Sequence, residues 1–320
     1  MKPLRFIPDG TTIRFMRHRF WSFPLSGSLL IASIVLFLIA GLNYGIDFKG
    51  GTLIEIQTAE EVADLANIRG SLNALDLGDV EVQEFGAPND VLIRVQTQGG
   101  EGESAEEAQQ RVVSLVKETL GNSVTYRRVE VVGPRVSGEL ATTGAISVLS
   151  ALFAIMVYIW FRFEWQFAVG AVAATAHDVI MTIGVFALLQ IDFNLTTIAA
   201  ILTIVGYSLN DTVVVYDRIR EDLRKYKKMP LKEVLDQAIN RTLSRTTLTS
   251  FTTLLALGSL YFLGGEVIRS FTFAMIWGVF VGTYSSIFIA APLLIFFNLR
   301  SDHVQRPGEG EEEAEGAPAS

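Results

Sequence analysis

The sequence contains no cysteine and only three histidines in 320 residues. Disulfides, thiol nucleophiles, iron–sulfur clusters and cysteine–zinc sites are excluded, and no metal site is expected. No Gly-x-x-x-x-Gly-Lys-Ser/Thr loop occurs, so a P-loop ATPase is excluded as well. Charge is scarce: Asp, Glu, Lys and Arg make up 19% of the chain, against about 25% in soluble domains. The deficit is local, since residues 28–41 and 201–206 carry no charge at all. With 50% apolar residues, that pattern belongs to a membrane protein and not to one large soluble core.

The net charge of −8 says little about partners. Seventeen acids against eight bases fall between residues 45 and 140, and five glutamates fall between 308 and 315. The remaining segments are basic, so a nucleic-acid role has no support. Six apolar segments approach or exceed the roughly 20 residues that cross a bilayer as a helix. They run near 26–43, 142–160, 167–189, 193–216, 248–264 and 271–298. The first follows Arg14, Arg17 and Arg19 but is long for a signal peptide and lacks a clean cleavage site, which predicts an uncleaved anchor.

Orientation follows from Lys and Arg in the short loops. Five bases precede the first span, nine lie between 218 and 245, and Arg300 and Arg306 follow the sixth. Both termini are therefore expected in the cytoplasm. The resulting plan has a cytoplasmic segment 1–25, a first helix 26–44 and an outer domain 45–140. Five further helices occupy 141–298, with a cytoplasmic loop 217–247 and an acidic tail 299–320 expected to be disordered.

Between the first two spans the hydrophobic period changes. Residues 52–58 alternate as a half-buried strand does, and 80–85 and 91–95 alternate again, with turn residues at 86–90. Residues 59–72 suit a helix with Val62, Leu65, Ile68 and Leu72 on one side, 104–120 suit a second, and 124–132 a last strand. The order strand–helix–strand–strand–helix–strand is the ferredoxin-like arrangement. The fold class is thus an α-helical polytopic membrane protein with six transmembrane helices. One α+β ferredoxin-like extracytoplasmic domain stands between the first and second helices.

Ionisable residues inside spans are costly and mark functional positions. The third span carries His177 and Asp178, and the fourth carries Asn210 and Asp211, then Asp217 and Arg218 near its cytoplasmic end. Gly170, Ala174, Asp178 and Thr182 form one small-and-polar stripe, and Thr203, Gly206, Tyr207, Asn210 and Asp211 another. Two such stripes can pack together and shield their acids from lipid. A proton relay needs a carboxyl that water can reach inside the bilayer; a satisfied interhelical hydrogen bond is the competing role. Asp217 and Arg218 suit an interfacial pair. Residues 230–243 have an apolar face and suit a helix lying on the membrane surface. Ala274, Gly278, Gly282, Ser286 and Ala290 mark a helix–helix contact. In residues 45–52, Asp47 and Lys49 can pair while Gly50 and Gly51 permit a tight turn, which predicts a structural hinge.

Several segments together resemble the SecF branch of the SecD/SecF family, within the resistance–nodulation–division superfamily. They are 45–52 (GIDFKGGT), 132–140 (VGPRVSGEL), 162–165 (RFEW) with His177-Asp178, 206–218 (GYSLNDTVVVYDR) and 240–250 (NRTLSRTTLTS). The resemblance implies a bacterial inner-membrane subunit that pairs with SecD and associates with the SecYEG channel, with YajC as a further partner. It implies action on the translocating preprotein, driven by the proton motive force, with protons as the coupling ion and no cofactor or catalytic residue. The family's functional acid maps onto Asp211 and its functional arginine onto Arg245; Asn210, His177 and Asp178 complete the proton-coupling set. Competing readings are a proton-coupled small-molecule or lipid exporter half-unit and a non-catalytic scaffold for SecD. An intramembrane aspartyl protease is excluded by the missing Gly-x-Gly-Asp.

Overall fold

The computed structural model describes residues 11–78, 80–96, 105–297 and 299. A first long helix, α1 (Arg19–Ala40), ends at Gly41, and a single turn, α2 (Ile46–Lys49), follows. The outer domain then runs β1 (Gly51–Thr58), α3 (Leu65–Asn73), β2 (Val80–Phe85), β3 (Ala87–Val95), α4 (Ala105–Leu120) and β4 (Val124–Val132). Four long helices come next: α5 (Pro134–Arg162), α6 (Trp165–Leu189), α7 (Leu195–Lys225) and α8 (Leu231–Leu263). The last span consists of α9 (Arg269–Ser285), a π-helical turn (Ser286–Ala290) and α10 (Ala291–Phe296). Among the described residues, six helices are long and apolar enough to cross a membrane.

The outer sheet is antiparallel throughout, in the order β2-β3-β1-β4. Alternation along β1 and β3 sends Ile54, Ile56, Val91 and Ile93 to one face, where they pack on Leu72 of α3 and Val112 and Val116 of α4. This is the split βαβ arrangement expected from the hydrophobic periods. Two details differ. The helix expected at 59–72 begins only at Leu65, where the Asp64 carboxylate accepts the Asn67 N–H at 3.0 Å and caps it, leaving Val62 exposed. The turn expected at 86–90 contracts to Gly86 (φ +88°), and residues from Ala87 onward are already strand.

In the bundle, burial separates an inner from an outer set. Over their apolar windows α6, α7 and the α9–α10 span are 56%, 44% and 61% buried, against 11% for each of α1, α5 and α8. The stripe of Ala274, Gly278, Gly282, Ser286 and Ala290 is buried as a helix contact. Its glycines let α7 approach: a Cβ at Gly278 would collide with Ile204, and one at Gly282 would stand 3.0 Å from the Ser208 Cβ. The two stripes on α6 and α7 do not face each other. Gly170, Ala174, Asp178 and Thr182 are buried, whereas Thr203, Gly206 and Asn210 point out of the bundle.

The helix expected on the membrane surface at 230–243 is instead the first part of α8. Val234, Leu235, Ala238 and Ile239 are buried against Val215, Ile219 and other core residues, so protein and not lipid covers that face. No glycine or proline interrupts the chain between Leu231 and Leu257, and the threonine hydroxyls at 242, 246, 249 and 252 bond back to the carbonyls four residues earlier. The N-terminal segment is strapped to this stretch: Asp236 Oδ1 accepts the Met16 N–H at 2.8 Å, and Asn240 bonds both the N–H and the C=O of Ile13. Of the expected acidic tail, all but Leu299 lies outside the described residues.

Pro292 lacks an N–H, and the π turn before it frees carbonyls from the helical ladder. Ser22 Oγ of α1 donates to Phe288 O at 3.4 Å, and Tyr216 Oη of α7 donates to Ala290 O at 3.1 Å. Gly278→Leu should cost about 1–3 kcal/mol through overpacking against Ile204. Thermal unfolding of the purified chain in detergent measures it. Gly206→Leu, which meets nothing within 4 Å, should not lower the transition.

Candidate functional site

Because α6, α7 and α9 form the centre of the bundle, their polar side chains can reach one another only there. Asp178 of α6 is fully buried. Its Oδ2 accepts hydrogen bonds from Ser208 Oγ of α7 at 2.5 Å and from Ser285 Oγ of α9 at 2.7 Å. Its Oδ1 lies 3.0 Å from Nδ1 of the adjacent His177. Three donors from three helices around one carboxylate satisfy a group that lipid cannot solvate. His177 is buried too, with its Nε2 unpartnered and its ring 6.3 Å from that of Tyr284. The Tyr284 hydroxyl in turn shares a 2.8 Å hydrogen bond with Ser26 of α1.

Asp211 stands three residues beyond Ser208 on α7 and is 2% exposed. Its Oδ2 has no hydrogen-bond partner, nor does Oγ1 of the neighbouring Thr212. The charged group whose field reaches it is Arg245, which is exposed on α8. Asn210 turns the other way and is exposed, so the fold separates these two sequence neighbours. The two buried acids thus have different chemistry open to them. Asp178 is held by hydrogen bonds to side chains on α6, α7 and α9. The Asp211 Oδ2 stands outside any such network.

Toward the C-terminal end of α7, Asp217 and Arg218 do not pair, because adjacent residues on a helix diverge. Asp217 binds Arg162 at 3.0 Å, while Arg218 reaches Glu221 at 2.7 Å and Asp222 at 3.5 Å. The buried Asp222 also takes Arg241 at 2.7 Å. Arg241 donates to the Tyr226 hydroxyl at 3.2 Å, which holds that phenol below its ordinary pKa.

At the outer end Asp47 does not pair with Lys49, which is exposed. Its Oδ2 accepts the Leu195 N–H at 2.8 Å, at the start of α7. Gly50 and Gly51 adopt positive φ, +71° and +117°, as the chain turns from α2 into β1. Sequence reasoning did not single out Ser208, Ser285 or Asp192. Ser208 lies inside the 206–218 motif; nothing local marks Ser285 as the partner of an acid 107 residues earlier. Among the described residues no group of three or more His, Cys, Asp or Glu could hold a metal ion.

Two family models match the chain. "Protein export membrane protein SecD/SecF, C-terminal" covers residues 112–300 and "SecD/SecF GG Motif" covers 35–62. The protein translocase subunit SecF of Rhodobacter capsulatus is 48% identical over 308 residues, 92% of each chain. That of Rickettsia akari is 46% identical over 299 residues, 92% of this chain and 95% of the relative. A Brucella abortus protein translocase subunit SecDF is 44% identical over 297 residues, 93% of this chain but 39% of the longer relative. The crystal structure of a Thermus SecDF, described as a translocon-associated membrane protein, superposes with a TM-score of 0.80 at 33% identity. The match covers 90% of this chain and 39% of that one. Motifs, topology and relatives agree across nearly the whole length, and the chain belongs to the SecD/SecF family of protein-export membrane proteins.

Proposed function

We propose that this export accessory subunit couples proton movement to the completion of preprotein translocation, with Asp211 as the group that takes up and releases the proton. One observation carries the reading: a buried carboxylate in a central membrane helix, one oxygen unpartnered, within the field of an arginine on the next helix. A lone buried carboxylate is costly unless a proton or a cation neutralises it. When Asp211 is ionised, Arg245 is drawn toward it; when Asp211 is protonated, that attraction ends and α8 is released. Arg245 thus converts the charge state of α7 into a position of α8. The membrane potential supplies about 2.3 kcal/mol per charge per 100 mV, so mechanical work on a polypeptide requires repeated protonation. His177 and Asp178 take a supporting part, holding α6, α7 and α9 in register around Asp211.

The partner face follows from the outward stripe of α7. Thr196, Ala199, Thr203, Gly206 and Asn210 are exposed and small or polar, whereas exposed positions on α5 such as Phe153, Trp160 and Phe161 are large and apolar. Small polar faces at membrane depth suit helix contacts and not lipid. The occupant proposed is the SecD subunit, which the fused SecDF relatives support. The SecYEG channel, YajC and the emerging preprotein are the further partners. The base-rich short loops favour an inner-membrane setting with both termini in the cytoplasm.

Asp211→Asn should abolish the gradient-dependent part of preprotein transport in membrane vesicles at equal protein levels and normal partner association. Full retention would leave only the scaffold role. Arg245→Ala should lose the same component, and Arg245→Lys, which keeps the charge, should restore part of it. For the partner face, a cysteine placed at Thr203 should cross-link to SecD, while one at Phe153 should not. Equal cross-linking from both positions would argue against α7 as the contact.

A further inference from the structure

The segment joining α1 to β1 is bonded on both sides. Toward the bundle, the Gly45 N–H donates to Phe193 O at 2.8 Å and the Phe193 N–H to Asn43 O at 2.7 Å, a short parallel bridge. Asn43 Nδ2 donates to Asp192 Oδ1 at 2.7 Å, and Asp47 takes the Leu195 N–H. Toward the outer domain, Ile46 is buried with Leu53 of β1 and Leu92 of β3. Arg94 of β3, with its side chain 11% exposed, spans the gap and meets Asp192 at 3.5 Å. β1 is an interior strand of the sheet, paired to both β3 and β4.

We infer that residues 43–49 act as a strut that delivers movement of α7 to the outer domain, with Asp47 as the positioning residue that grips the helix. α7 carries Asp211 in its middle and begins at Leu195, the residue whose N–H Asp47 holds. A helix transmits axial displacement along its length because its hydrogen bonds lie along the axis. Asp47 and the Asn43–Asp192 contact receive that displacement at the outer end, and Ile46 passes it to β1. The glycines that suggested a hinge lie past this grip, at the entry to the strand. The strut rests on the proton-coupled reading of Asp211 and extends it to the domain outside the membrane.

A chain without cysteine allows a clean test. A Cβ at Gly45 would stand 3.2 Å from the Asn194 Cβ, close to the spacing of about 3.5–4.5 Å that a disulfide spans. The Gly45→Cys/Asn194→Cys protein, assembled with its membrane partners in vesicles, is compared oxidised and reduced. A strut stays closed throughout, so oxidation should leave gradient-dependent export unchanged. Loss on oxidation, reversed by reductant, would show that the segment opens in each cycle and overturn the strut. In a second arm, Asp47→Ala should lose gradient-dependent export, and Asp47→Asn, which keeps an acceptor oxygen, should recover it. Spin labels on β4 and at the outer end of α8 should report a distance that changes with an imposed gradient in the parent chain and not in Asp47→Ala. Full export and an unchanged distance response in Asp47→Ala would also overturn it. Failure of the proton-coupled reading looks different: Asp211→Asn is then silent as well.

Discussion

A carboxylate sealed inside a bilayer has no water to turn to, and the arrangement of this bundle depends on how Asp178 meets that constraint. Its oxygens draw Ser208 from α7 and Ser285 from α9, with His177 beside it on α6. Losing one such bond leaves a buried polar group unsatisfied, at a cost of about 1–3 kcal/mol. The three inner helices are therefore set in one rotation relative to each other, and Gly278 and Gly282 provide the close approach that rotation needs. α1 adds Ser22 and Ser26 at the edge of this core, bonded to Phe288 O and to the Tyr284 hydroxyl.

The same constraint leaves two acids of identical type in different surroundings. Asp178 is surrounded by hydroxyls and serves the fold. Asp211, less than one turn from Ser208, inherits a fixed position from that network but does not share in it. A place determined by its neighbours without a bond to them is what the proposed proton coupling asks of Asp211. The far side of α7 presents an exposed stripe of small and polar residues. α7 is thus central to the structure, and the proposed chemistry and partner contact both fall on it.

Much of this was legible in the sequence, where the physics is local. Bilayer thickness makes a span a matter of counting apolar residues, and the change of period to two marked the outer strands. An acid in an apolar run is rare enough to single out Asp178 and Asp211 without any structure. What stayed hidden was relational. Ser285 lies 107 residues from Asp178, and a serine in a membrane helix carries no local sign of its partner. The polar stretch at 241–250 resembles a break between two helices, yet its threonines satisfy themselves within one continuous α8. The outward stripe on α7 has the same composition as a buried one; only the position of α9 decides which way it faces.

The length of α8 has a mechanical side. At 33 residues and 1.5 Å per residue it measures roughly 50 Å, well over the roughly 30 Å of a hydrocarbon core. Arg245 sits 14 positions from its Leu231 end, a lever arm of about 21 Å. A tilt of about 10° about its Leu263 end would carry Arg245 through roughly 5 Å and the Leu231 end through roughly 8 Å. Asp236 and Asn240 tie the N-terminal strap to that arm, so the strap would be carried along with it. On the proposed coupling, a shift at Arg245 would therefore be magnified toward the Leu231 end into a displacement larger than a hydrogen bond.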